Sequence, residues 1–133
     1  MKLIKVVCGV VIRSNNQVLI TQRGDDKNRN KWEFPGGKVK NQESLHDSIK
    51  RELSEELGII VNPEEVVFEV VHDKLKLFFI RCRMSEGTVS LNEHLDYRWV
   101  TEDEFGKFDF LDGDKKYINS IKKRTQPFQT GLK

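Results

Sequence analysis

The chain has 133 residues, which fits one domain and suffices to bury about two thirds of its unfolded surface without staples. Lys and Arg total 23 against 21 Asp and Glu, and a balance of +2 gives little drive toward nucleic acid or a membrane surface. Eight Phe and two Trp argue against disorder, while two cysteines, Cys8 and Cys82, cannot form a disulfide framework, so a reduced, cytoplasmic setting is expected.

The opening MKLIKVVCGVVI is the one stretch with the look of a signal peptide. Lys5 interrupts it and no small-residue cleavage site follows, so it reads as a strand. Residues 3–13 and 17–22, rich in Val and Ile, flank the turn Ser14-Asn15-Asn16 and predict a hairpin or two neighbouring strands. Residues 23–31 are polar and loop-like, and WEFPGGK then supplies a Pro-Gly-Gly stop. From Ser44 the period turns helical: Leu45, Ile49, Leu53 and Leu57 recur every four residues, with Ser44 placed to cap the start and Gly58 the end. Two strands follow within 65–84, with His72-Asp73 near their turn, then a short strand at Tyr97–Val100. Tyr117, Ile118 and Ile121 mark a last helix, and the tail past Arg124 has little to bury. No repeat or linker divides the chain, so residues 1–133 are expected to form one α/β domain, a mixed sheet with helices on its faces.

The chemistry gathers on the first helix. Glu52, Glu55 and Glu56 share one face, beside the apolar stripe rather than opposite it. Like charges at these spacings cost roughly 0.2–0.5 kcal/mol per pair, and acids in a last turn oppose the helix dipole. A bound cation reverses both signs, and Mg²⁺ suits a few carboxylates with room left for phosphates. On spacing alone, a solvated acidic surface accounts for the stripe equally well.

Read from Gly37, the chain matches G-x5-E-x7-R-E-U-x-E-E-x-G-U through Gly37, Glu43, Arg51, Glu52, Leu53, Glu55, Glu56, Gly58 and Ile59. Chance would supply this in roughly one chain of this length in ten million. The segment resembles the Nudix box, signature of the Nudix hydrolases. The resemblance implies an α/β/α sandwich with a loop–helix–loop, and Mg²⁺- or Mn²⁺-dependent attack of water on a phosphorus of a nucleoside diphosphate derivative. It implies metal ligation by Glu52, Glu55, Glu56 and the carbonyl of Gly36. Glu52 is then the first candidate for general base, with Glu55 and Glu93 as its rivals and Arg51 in the same constellation. Arg51 and Glu43 match a pair that braces the loop against the helix, which a guanidinium fork does well.

The flanks are similar to MutT-type nucleoside triphosphate pyrophosphohydrolases. Lys31 to Val39 resembles the segment leading into their box, which makes Phe34 either a nucleobase contact or core, and Lys38 either a phosphate contact or a surface lysine. Glu93, six residues before Trp99, matches a loop glutamate that completes the metal site, or is plain surface. Asp114 stands where these proteins read the base edge, or else caps the last helix. Arg23 corresponds to an arginine near the nucleotide. MutT itself carries Asn at the place of Asp114. An ionised Asp only accepts hydrogen bonds, which suits the amine of cytosine, whereas a protonated one also donates and can read an oxidised purine.

The expected reaction is hydrolysis of a nucleoside triphosphate to the monophosphate and pyrophosphate, the base being cytosine-type or an oxidised purine. Rival substrates with the same metal site are dinucleoside polyphosphates and RNA 5′ ends. A non-catalytic nucleotide-binding module is the rival from another class, although the box is intact. A nucleic-acid partner would rest on Lys115, Lys116, Lys122, Lys123 and Arg124, which read more simply as a solvated helix face. The segment typical of NADH-cleaving relatives is absent, and no mark of the ADP-ribose branch is visible. Cys8 and Cys82 are expected as small buried hydrophobes, and His94 is near the site only by adjacency to Glu93.

Overall fold

The computed structural model describes residues 2–125. In chain order it contains β1 (Ile4–Arg13), β2 (Gln17–Gln22), β3 (Trp32–Glu33), β4 (Gly36–Lys38), α1 (Leu45–Leu57), β5 (Ile60–His72), β6 (Leu75–Glu86), β7 (Asp96–Val100) and α2 (Asp112–Thr125), with a 3-10 turn at Glu102–Lys107. The expected hairpin turn is present, with Asn15 and Asn16 at positive φ of 67° and 58°, where asparagine is tolerated. The tail expected to be loose, beyond Thr125, lies outside the described residues.

One mixed sheet runs β3-β2-β1-β6-β5, with β1 and β6 parallel and the other pairs antiparallel. β1 meets β2 only beside their turn, at Ile12–Val18 and Arg13–Gln17. Beyond those pairs, the segment from Trp32 to Lys38 ties into both strands. β3 pairs with Thr21 and Gln22 of β2, while β4 pairs with Val6, Val7 and Cys8 of β1. β7 also pairs along β2.

Alternation along the strands divides the core in two. Val7 and Val11 of β1, Leu19 of β2 and Phe78, Ile80 and Cys82 of β6 face α1, where Ile49, Leu53 and Leu57 are wholly buried. Burial of each such side chain stabilises by about 1.5–3 kcal/mol. Cys8 and Val10, Val18 and Ile20, and Leu77 and Phe79 face the other way, toward Tyr117, Ile118 and Ile121 of α2. The result is the expected α/β/α sandwich. α1 keeps its boundaries because Ser44 Oγ accepts from the Asp47 N–H at 3.0 Å and Gly58 adopts φ 69° to close the helix. Both cysteines are buried and free.

β5 begins at Ile60, five residues before the expected start. Pro63 lies within it, tolerated because β5 is the outer strand of the ordered path and its register shifts between Pro63 and Val66. Among the described residues, no helix is long and apolar enough to cross a membrane.

Candidate active site

The two glycines of the Pro-Gly-Gly turn work differently. A Cβ on Gly36 would fall 1.8 Å from the Val7 carbonyl oxygen, so the β1–β4 pairing requires a bare backbone there. A Cβ on Gly37 would fall 2.4 Å from the carboxyl carbon of Glu52, so the vacancy at Gly37 is filled by that carboxylate. Gly36→Ala is therefore expected to lower unfolding free energy by more than about 2 kcal/mol, as overpacking against backbone does. Gly37→Ala should fold near normally and lose activity, because only the end of a side chain must move. Urea melts beside initial rates check the contrast; equal stability losses would contradict it.

Arg51 braces the turn to the helix. Its Nε and Nη2 donate to the two carboxylate oxygens of Glu43 at 2.6 and 3.0 Å, its Nη2 also to the Lys38 carbonyl at 3.2 Å, and its Nη1 to Glu52 and Glu55 at 3.1 Å each. The Arg51 hydrogen bond, helped by the Lys40 N–H, holds Glu43 down at about 2. Its donors are thus engaged by the protein, in the brace expected of Arg51 and Glu43.

A cavity of about 90 Å³ is lined by Gly36, Glu56, Glu93, His94 and Glu33, together with Arg23, Gly24 and Asp25. Burial, with the neighbouring Glu52 charge next, pushes Glu56 up to about 7, and His94 only partly offsets them. Glu55 does not line this cavity; it is 57% exposed and turns to Arg51. Lys38 is exposed at the end of β4. A far larger hollow, about 1020 Å³ between β1, β5 and the second half of α2, contains none of the predicted site residues. Size therefore does not locate the chemistry here.

Two further residues line the cavity: Glu33, assigned no role from the sequence, and His94, expected there only as the neighbour of Glu93. Glu33, 8% exposed, accepts from Arg23 Nη1 at 3.0 Å through one oxygen, and its other oxygen lies 2.8 Å from His94 Nε2. Arg23 also donates to Asp25 at 2.7 Å. Burial disfavours the His94 cation, but the Glu33 hydrogen bond and charge, with Glu56 behind them, outweigh it and raise the His94 pKa. Position 33, at the end of β3, meets position 94 on the β6–β7 connection, and no local spacing in the sequence joins them.

Of the two readings of Phe34, nucleobase contact and core, its place is in the core. Its ring is 2% exposed, stacked on Phe110 with centroids 5.2 Å apart and edge-on to Phe105 and Tyr117 at 5.4 Å each. The ring is core because β3 and its continuation turn it toward the α2 side of the sheet, leaving no open face for a base to stack on. The helix-cap alternative for Asp114 is corrected: α2 starts at Asp112, so Asp114 sits inside the first turn. Its carboxyl, 4% exposed, accepts from the Phe34 N–H at 3.1 Å. Burial, followed by the Glu33 charge, raises Asp114 well above the carboxylate range, against a smaller opposite pull from that N–H. That burial favours the neutral over the charged form.

The donor chemistry fits a hard divalent ion: Glu52, Glu55, Glu56, Glu93 and the Gly36 carbonyl offer only oxygen. Among the described residues, no three acidic, His or Cys side chains form a finished cage. Mg²⁺ does not require one, since it keeps several waters and shares substrate phosphates.

An α/β/α sandwich with this glycine–glutamate–arginine brace is matched by the NUDIX domain family over residues 2–121. The chain is 32% identical over 125 residues to the 8-oxo-dGTP diphosphatase of Buchnera aphidicola subsp. Schizaphis graminum, covering 92% of this chain and 96% of that one. It is 32% identical over 108 residues to the CTP pyrophosphohydrolase of Escherichia coli, covering 78% and 80%. A MutT structure, from work on the Aliivibrio salmonicida and Vibrio cholerae proteins, superposes with a TM-score of 0.81 at 28% identity, over 92% of this chain and 99% of that one. The chain belongs to the Nudix family. It is a Nudix hydrolase of the MutT-like group.

Proposed function

We propose that this protein hydrolyses nucleoside triphosphates to the monophosphate and pyrophosphate with Mg²⁺, preferring an oxidised purine base. The observation that carries the reading is the meeting of Glu56, Glu93 and the Gly36 backbone at one small cavity that Arg23 also lines. Glu52, Glu56, Glu93 and the Gly36 carbonyl would hold the ion, and Glu55 would join them only by leaving Arg51. A divalent ion there neutralises the triphosphate and lowers the pKa of the attacking water. Glu52, packed on Gly37 and held by Arg51, is the proposed general base. Arg23 takes a phosphate oxygen, and Lys38 adds positive charge at the mouth.

Base choice falls to Asp114. A neutral carboxyl presents a donor and an acceptor side by side, which matches a purine edge that offers one of each. An ionised group would favour the cytosine amine, the reading suggested by the CTP-cleaving relative. The decisive test is pyrophosphate release across ordinary, 8-oxo-purine and cytosine nucleotides. Asp114→Asn, which keeps both a donor and an acceptor, should retain the oxidised-purine preference. Asp114→Ala should flatten it by about 10-fold or more, and by stranding the Phe34 N–H should cost about 1–3 kcal/mol of stability. A cytosine preference lost in Asp114→Asn would reverse the assignment of the base. The partner is a small nucleotide, and the setting proposed is cytoplasmic.

A further inference from the structure

Glu93 lies on the connection between β6 and β7, outside regular structure and exposed. Among the described residues, no hydrogen bond or ion pair holds its carboxylate. Its place is therefore set by its backbone. Three contacts fix that backbone: the Leu95 N–H donates to the Gln22 carbonyl at 2.8 Å, Gly24 approaches so closely that a Cβ would lie 2.9 Å from the Glu93 carbonyl oxygen, and the His94 ring meets Glu33 at 2.8 Å. The third is the one made by a side chain next to Glu93, and it is about nine-tenths buried at both ends, with side chains 8% and 11% exposed. Glu33 is itself immobilised by Arg23, and Arg23 by Asp25.

We propose that His94 is a positioning residue for metal binding: anchored on the Asp25–Arg23–Glu33 chain, its imidazole orients the loop so that Glu93 faces Glu56 and Gly36. The inference rests on the reading of Glu93 as a metal ligand. Without the ring, the loop keeps only its backbone ties, and the buried Glu33 loses one of its two partners. Partners of this supporting kind are worth about 10–100-fold in metal affinity.

The test is Mn²⁺ binding to the nucleotide-free protein, read by electron paramagnetic resonance, with circular dichroism to confirm folding. Glu93→Gln and His94→Ala should each weaken Mn²⁺ binding by about 10-fold or more. His94→Gln, whose amide can still donate to Glu33, should recover most of the loss. The double variant should bind no more weakly than Glu93→Gln alone, because His94 acts through Glu93. If Glu93→Gln weakens binding and His94→Ala does not, the inference is overturned while the metal assignment stands. If neither changes binding, Glu93 is not a ligand and both fall. Additive losses in the double variant would mean that His94 acts on the metal by another route, which also overturns the inference. Should His94→Ala fail to fold, His94→Leu fills the same volume without the hydrogen bond and carries the same comparisons.

Discussion

Glu56→Gln should remove at least about 100-fold of turnover with Mg²⁺ and leave the metal-free protein as stable as before, or slightly more so. The two halves of that expectation share one cause. Glu56 is a half-buried carboxyl that burial and Glu52 have pushed up to about 7. Without a cation, an amide of the same shape relieves like-charge repulsion. With a cation, it withholds the negative oxygen that the site exists to supply. Melting curves with and without Mn²⁺ separate the two effects, since an ion that binds only the folded state raises its stability by mass action. The wild type should melt higher with the ion and the variant should not. Near wild-type rates in the variant would remove Glu56 from the metal site.

The largest stability effect belongs to Phe34→Ala, expected at about 3–5 kcal/mol. The ring packs against Phe79, Phe105, Phe110 and Tyr117, so its removal opens a cavity at the centre of the α2-side core. Chemical denaturation should show the midpoint falling with an unchanged slope. A nucleobase platform would behave in the opposite way, raising KM with little loss of stability. A fall below about 1 kcal/mol would contradict the core placement.

The parts of this molecule legible in its sequence are those that local chemistry determines. The four-residue repeat from Leu45 to Leu57, bounded by Ser44 and Gly58, specifies a helix and its ends within one short window. The box places Arg51 and Glu43 eight residues apart, close enough for their brace to be inferred. What escaped is long-range. β3 and β4 are two and three residues long and exist because β1 and β2 offer them edges. Pro63 argues against a strand until its position on the sheet edge is known. The Glu33–His94 contact spans 61 residues, and the direction of the Phe34 ring depends on a sheet that must form first. Glu55 shows a subtler limit: helical spacing gave its face correctly, but Arg51 decides where its carboxylate rests.

The helix bearing the box glutamates and the helix bearing Asp114 lie on opposite faces of the sheet, and the strip from Trp32 to Lys38 runs from one neighbourhood to the other. On the proposed reading, hydrolytic machinery and base reader are thus separate inheritances. If Asp114 reads the base as proposed, the first turn of α2 could be rewritten for a new nucleobase without disturbing the brace around Arg51 on the other face of the sheet. On the same reading, any replacement at Asp114 must still accept the Phe34 N–H, which makes the strip the fixed joint against which it must fit.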